Sequence, residues 1–214
     1  MTDSTIIAPA SAPGRGGISV IRISGPQSET VAESLCGKLE EPWKFKHCKI
    51  TNQGGDVFDT GLVVFFKSPH SYTGEDVVEV HCHGNPRLVD LIVAEGVACG
   101  ARVAEPGEFT KRAYLNNKID LAQAESVADL IEAQTEEAVL AAHSSLSGKF
   151  SSDINACIDS LVASRVFVEA SLDFPEEETG DGGLNRVGLE IKKQLSFIET
   201  SLSSAKKGVL VREG

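Results

Sequence analysis

The sequence predicts an α+β domain followed by an all-α domain. Glycine and proline are unevenly distributed, because 13 of the 20 glycines and seven of the 8 prolines precede residue 119. Apolar residues before that point form short runs between turns, whereas those after it recur with a period near 3.6 residues. We therefore predict a mixed domain over residues 1–118 and a helical domain over residues 119–214.

The elements of the first part are expected in the order β, α, β, β, α, α. Short apolar runs bounded by turn residues predict strands at 18–23, 61–66 and 76–82. Helices are predicted over 28–37 and from Asn85-Pro86 to near Gly100, and a short third helix is predicted to open at residues 105–108 and run to about Tyr114. Asn can cap a helix, and Pro is tolerated at its first position. This order is typical of a domain built on a mainly antiparallel sheet.

Helical periodicity dominates the second part. Asp120 is expected to cap a first helix that carries Val127, Leu130 and Ile131 on one side. Two further apolar stripes predict helices around residues 154–172 and 187–205. The acidic run 173–178 between them is expected to be a solvated loop, since paired-carboxylate catalysis would need partners that spacing does not indicate.

Composition excludes several classes of protein. The formal net charge is −11, of which −9 falls after residue 118, so the chain alone is a poor candidate for tight nucleic-acid binding. No apolar run reaches 18 residues and the N-terminus has no basic signal region, so no membrane span or secretory signal is expected. Five scattered cysteines indicate reduced thiols and a cytoplasmic protein.

Three short motifs have ordinary structural explanations. Residues 117–120, NKID, match a guanine-reading motif, but the chain has no GxxxxGK[ST] phosphate loop, so we expect a loop that ends in a helix cap. His81 and His83 share one face of a strand without an identifiable third ligand, so no metal site is predicted. Residues 14–17, GRGG, are expected to form a tight turn.

Arg22, Glu79 and Lys118 are the candidate functional residues. Arg22 and Glu79 share strand faces with apolar neighbours, and Lys118 lies at the predicted domain boundary. A charge in such surroundings is usually paired or functional, because burying an unpaired charge is costly. Two interpretations therefore stay open at this point, namely a salt bridge within the protein and a ligand site.

Four segments resemble the MnmE (TrmE) family and occur in its order. They are PGRGGISVIRISG (13–25), YTGEDVVEVHCHGN (72–85), EPGEFTKRAYLNNKIDLAQAESVADLIEA (105–133) and EASLDFPEEE (169–178). The resemblance implies a tRNA-modifying GTPase. With the flavoprotein MnmG (GidA), such a protein builds the aminomethyl or carboxymethylaminomethyl group on carbon 5 of wobble uridine. The resemblance also implies a homodimer that binds tRNA as part of the full complex.

The family's architecture implies that this chain corresponds to its first half. A folate-binding domain and a helical domain are followed in the family by an inserted GTPase domain and a C-terminal helical segment. On that expectation the sites for GTP, magnesium and potassium lie outside residues 1–214. The chain alone is then expected to be inactive on GTP and to hold no catalytic residue.

The first domain also resembles the tetrahydrofolate domain of glycine-cleavage aminomethyltransferases. The resemblance implies that it binds 5-formyl- or 5,10-methylene-tetrahydrofolate and dimerises. Matching motifs place the family's folate contacts on Arg22, Glu79 and Lys118. Two alternatives stay open: a free-standing folate-dependent one-carbon transferase, and a structural dimerisation module that binds no ligand.

Overall fold

The computed structural model describes residues 4–173 and 182–213. Their elements are β1 (Ile6–Pro9), β2 (Gly16–Ser24), α1 (Ser28–Cys36), β3 (Lys46–Thr51), β4 (Val57–Phe66), β5 (Val77–Gly84), α2 (Pro86–Ala98), β6 (Arg102–Val103), α3 (Glu108–Leu115), α4 (Leu121–Glu132), α5 (Glu136–Leu146), α6 (Lys149–Asp173) and α7 (Gly182–Glu213). The chain divides into two compact units, Met1–Ile119 and Asp120–Gly214. The predicted class, α+β followed by all-α, is confirmed.

The first unit is built on one six-stranded sheet with the order β3-β4-β5-β2-β1-β6. Neighbouring strands are antiparallel except for β1 and β6, which are parallel. The predicted strands correspond to β2, β4 and β5, and the predicted antiparallel character is confirmed. Strands β1, β3 and β6 were not predicted. Strands β2 and β5 therefore occupy the centre of the sheet, where both edges of each strand are paired.

The hydrophobic core lies between α1, α2 and one face of the sheet. Ile21, Ile23, Val78 and Val80 point into it from the two central strands and are fully buried. Burying a side chain of this size contributes about 1.5–3 kcal/mol. Side chains alternate between the two faces of a strand, so this core places Arg22, Glu79 and His81 together on the opposite face. That face carries the candidate site.

Helix α2 begins as its sequence predicts. The side-chain oxygen of Asn85 accepts hydrogen bonds from the backbone N–H groups of Arg87 and Leu88, at 2.9 and 3.4 Å. Pro86 occupies the first helical position, where no intrahelical hydrogen bond is lost. The helix ends at Ala98, two residues before Gly100, whose φ of 106° suits glycine. Local sequence therefore determines both ends of this helix.

The second unit consists of α4 to α7. Asp120 caps α4 as predicted, accepting the N–H of Gln123 at 2.9 Å while the Gln123 side chain binds back to the Asp120 N–H. Helix α5 was not predicted. The predicted break between the last two helices, with its acidic run, falls largely on residues 174–181, which lie outside the described residues.

Large apolar side chains remain exposed in this helical unit. On α7, Ile191, Leu195 and Leu202 are 48%, 54% and 58% exposed. Ser160 of α6 donates to Glu190 of α7 at 2.8 Å, and Gln194, also on α7, donates to the same carboxylate at 2.6 Å. No helix in residues 4–173 and 182–213 is long and apolar enough to cross a membrane.

Candidate ligand-binding site

Arg22 and Glu79 form an ion pair across the two central strands. They are register partners in the antiparallel β2–β5 pair. The Nε and Nη2 atoms of Arg22 lie 3.0 and 2.8 Å from the same oxygen, Oε1 of Glu79. Both side chains are about four-fifths buried. The salt bridge that the sequence left open is therefore present, and it occupies only one oxygen of Glu79.

The second oxygen of Glu79, Oε2, faces Nε2 of His81 at 3.5 Å. That separation is too long for a good hydrogen bond. Nε2 of His81 is buried and has no hydrogen-bond partner among the described residues. An ionised carboxylate offers about four lone-pair sites. Glu79 therefore keeps acceptor capacity on the side away from Arg22.

Aromatic rings surround the Arg22 guanidinium. Its central carbon lies 4.7 Å from the centroid of the Tyr72 ring and 5.5 Å from that of Phe109. Both distances are within the range of cation–π attraction. Tyr72 is itself held by a 2.8 Å hydrogen bond between its hydroxyl and Oγ1 of Thr110. Helix α3, which carries Phe109 and Thr110, thus supports the guanidinium from outside the sheet.

Lys118 lies beside the same segment of chain. Its ammonium group donates to the carbonyl oxygen of Pro69 at 2.9 Å. Its aliphatic stem packs over Gly74, where a Cβ would lie 3.0 Å from Cγ of Lys118 and the φ of 78° favours glycine. Lys118 is otherwise exposed. Its charge is therefore available to a ligand at modest desolvation cost.

A cavity of about 410 Å³ lies beside these groups. Glu79 and Lys118 line it together with three aromatic residues, Trp43, Phe66 and Tyr72. Its volume lies within the range of small-molecule sites, about 300–1,000 Å³. An apolar, ring-lined wall with a few polar groups is the usual composition of such sites. The arrangement suits a flat, polar heteroaromatic molecule.

Residues 67–76, here called the cavity loop, connect β4 to β5 and provide one wall of this cavity. The Ser24 and Thr73 hydroxyls lie 2.7 Å apart, and Ser24 also donates to Glu75 at 2.8 Å. Asn116 donates to the carbonyl oxygen of Thr73 at 2.7 Å. These bonds connect the cavity loop to β2 and to the end of α3, so the wall is pre-formed.

A buried ion-pair network connects the cavity loop to α3. Arg112 is 2% exposed and pairs with Glu75 at 2.9 Å and with Glu108 at 3.1 Å. Glu108 also accepts a hydrogen bond from Arg102 at 2.8 Å. The hydrogen bonds from Arg102, assisted by those from the Glu105 N–H and Arg112, lower the pKa of Glu108 to about 2. Glu108 is therefore ionised throughout the physiological range.

The remaining motifs have local roles. Nδ1 of His83 lies 2.8 Å from Oδ1 of Asp59, and its backbone N–H donates to the same carboxylate. Burial raises the pKa of Asp59, but these hydrogen bonds from His83 outweigh it and the net shift is downward. His81 packs edge-on against Phe45. Within the described part of the chain, no group of three His, Cys, Asp or Glu residues could hold a metal ion.

The fold and the cavity define an α+β domain that carries a candidate ligand site and is followed in the chain by a helical domain. Residues 5–118 match the family model described as "GTP-binding protein TrmE N-terminus". Residues 121–214 match the model described as "MnmE helical domain". The chain therefore belongs to the MnmE (TrmE) family, as the sequence motifs indicated.

Curated relatives agree with this assignment. The chain is 46% identical over 218 residues to a protein of Legionella pneumophila, strain Philadelphia 1, covering 100% of this chain and 48% of that protein. It is 46% identical over 213 residues to one of Francisella tularensis subsp. holarctica, strain OSU18, covering 100% of this chain and 47% of the relative. Both are named tRNA modification GTPase MnmE. The chain spans about half the length of the curated relatives it matches.

The structure brings the three predicted site residues into one region of the first unit. Glu79 and Lys118 line the cavity, and Arg22 contacts both Glu79 and Tyr72. Their role in ligand binding stays a prediction. Sequence reasoning missed Trp43, and it placed Phe66 in a strand without assigning it to the site. Only the scarcity of tryptophan, a single residue in 214, could have drawn attention to Trp43.

Proposed function

We propose that the first unit binds a one-carbon derivative of tetrahydrofolate, such as 5-formyl- or 5,10-methylene-tetrahydrofolate, in the cavity beside Glu79. The proposal rests mainly on the Glu79 carboxylate, of which only one oxygen is bonded to Arg22. One Glu79 oxygen is held by Arg22, the other lies 3.5 Å from Nε2 of His81, and Glu79 lines the aromatic cavity. A pterin presents adjacent ring N–H and amino donors, which one carboxylate can accept as a forked pair.

The charges at the site favour this ligand class over a cation. Arg22 and Lys118 contribute two positive charges near the single negative charge of Glu79. Aromatic walls with a carboxylate also suit quaternary ammonium groups, but the net positive charge opposes them. A folate has a flat ring at one end and carboxylates at the other. Lys118, exposed at the cavity, is placed to attract the anionic tail.

In this arrangement the chain's own residues bind and orient the ligand. Glu79 accepts the donor edge of the ring, and Arg22 holds the Glu79 carboxylate in one orientation through Oε1. The aromatic side chains that line the cavity would exclude water from the faces of the bound pterin. The bound folate would supply a one-carbon unit. None of these roles requires a catalytic residue in this chain.

We further propose that the chain serves in a tRNA-modifying GTPase. The names of its relatives support that role, since both are tRNA modification GTPases. Family membership supports a homodimer through the first unit, a partnership with MnmG (GidA), action on wobble uridine within the full complex, and a cytoplasmic location. GTP, magnesium and potassium would be bound by a GTPase domain outside residues 1–214.

Titration of the chain with 5-formyltetrahydrofolate by calorimetry tests the folate proposal. Lys118→Met is the most informative variant, because Lys118 is exposed and takes no part in the Arg22–Glu79 pair. We expect saturable binding to the wild type and about tenfold weaker binding to Lys118→Met, with a melting temperature within about 2 °C. Lys38→Met, an exposed change of the same charge at a residue that does not line the cavity, is the matched control. Absence of saturable binding to the wild type would overturn the proposal.

A further inference from the structure

Trp43 has an unfavourable backbone and an exposed side chain. It is the only tryptophan of the chain and lies in the connection between α1 and β3. Its φ is 67°, in the left-handed region that disfavours every residue with a bulky side chain. Its side chain is nevertheless 61% exposed. Most of the apolar indole is therefore left in water, and backbone strain of this kind is concentrated at functional sites.

The position of the Trp43 ring is well defined. Its backbone N–H donates to the carbonyl oxygen of Phe65 at 2.8 Å, which ties the connection to β4. The indole meets the ring of Phe66 at 4.8 Å between centroids and at 82° between planes. Such edge-to-face contacts favour one ring orientation. Trp43 and Phe66 both line the cavity that contains Glu79.

We infer that Trp43 contacts the ligand and forms the outer aromatic wall of the cavity, against which a flat heteroaromatic ring stacks while Glu79 holds its donor edge. This inference rests on the proposed folate function and deepens it by assigning a residue that selects for the ring. An indole offers a large, rigid face at little cost in side-chain entropy. The strained backbone is retained because it brings that face to the cavity.

The single tryptophan makes this inference directly measurable. Every tryptophan signal of the chain comes from position 43. Titration with 5-formyltetrahydrofolate, corrected for ligand absorbance, should change the fluorescence saturably. The midpoint should agree with the dissociation constant from calorimetry on the same sample. A ligand bound elsewhere would leave the corrected signal unchanged.

Two variants separate binding from folding. Trp43→Phe keeps an aromatic face, and Trp43→Asn removes the ring while suiting the left-handed backbone better. We expect about tenfold weaker binding for Trp43→Asn and less than threefold for Trp43→Phe, by calorimetry. The melting temperature of Trp43→Asn should stay equal to or above that of the wild type. Tyr114→Ala, which truncates another exposed aromatic residue, is the control and should bind normally.

The outcomes distinguish a failure of the inference about Trp43 from a failure of the folate proposal. If the wild type binds folate and Glu79→Gln binds weakly, but Trp43→Asn binds normally and the fluorescence is constant, the inference about Trp43 is wrong and the folate proposal stands. If the wild type does not bind, the folate proposal fails and the role of Trp43 fails with it. Weak binding by Trp43→Asn together with a lowered melting temperature would indicate a structural role and would also overturn the inference.

Discussion

Two nitrogen atoms of Arg22 bind a single oxygen of Glu79, directly across the central pair of strands. The pair therefore leaves the second carboxylate oxygen without a hydrogen bond from Arg22, and Glu79 also lines the cavity. A salt bridge and a ligand site, which stood as alternatives in the sequence, are compatible in this geometry. The same carboxylate can be fixed by the protein and still accept donors from a ligand.

Glu79→Gln should weaken both folate binding and the fold. The amide loses the charge and places an amino group against the ring donors, so affinity should fall about 30–150-fold, equivalent to about 2–3 kcal/mol. The melting temperature should fall as well, because Arg22 loses its partner. Calorimetry and thermal melting on one sample measure both. Glu40→Gln, an exposed change of the same chemistry, is the control. A melting loss with affinity changed less than threefold would remove Glu79 from the ligand site.

Arg112→Met should destabilise the first unit strongly. The guanidinium is 2% exposed and serves Glu75 and Glu108, so its removal leaves buried carboxylate charge poorly compensated. We expect a loss of about 3–5 kcal/mol in the free energy of unfolding, measured in urea by Trp43 fluorescence. The control is Lys44→Met, which breaks the exposed Lys44–Glu41 pair and should cost under about 1 kcal/mol. Equal losses for the two variants would show that the network contributes little.

The first unit should lose stability in acid through Glu108. The folded pKa of about 2 is lower than the ordinary value of 4.5, so the unfolded chain binds the proton more tightly. The stabilisation is complete above about pH 4.5 and is lost as the pH falls towards 2, by roughly 3 kcal/mol. Urea unfolding between pH 6 and 2.5 measures it. Glu108→Gln should be less stable at pH 6 and show a shallower decline, and a parallel decline would assign the effect to other carboxylates.

Asp120→Ala should weaken α4 without revealing any nucleotide site. The side chain caps the helix through the N–H of Gln123, so its loss should cost about 1 kcal/mol in the stability of the second unit. Asp120→Asn keeps a capping oxygen and should lose less. Circular dichroism melting compares them. Calorimetry should detect no saturable GTP binding to the wild type. Micromolar binding lost in Asp120→Ala would instead make residues 117–120 a guanine-reading motif.

Local signals account for the elements that were predicted correctly. Helix caps act within one helical turn, so neighbouring residues are enough to predict them. This is the case for Asn85-Pro86 at α2 and for Asp120 at α4. The missed strands depend on distant partners. Strand β6 has only two residues and pairs in parallel with β1, almost one hundred positions away along the chain. Strand β3 carries His47 and Lys49 on its exposed positions, which weakens its apolar pattern.

The class of the fold, the family and three charged candidate residues can be predicted from the sequence alone. These follow from periodicity, from motifs and from charges placed among apolar neighbours, all of which are local. The sequence does not settle whether Arg22 pairs with Glu79, whether Arg112 binds both Glu75 and Glu108, or whether Trp43 lines the cavity. These contacts form only in the folded chain. These relationships depend on strand register and on how loops pack across the sheet. Register is set by the burial of a whole face at once, because a shift of one residue would turn every core side chain towards solvent.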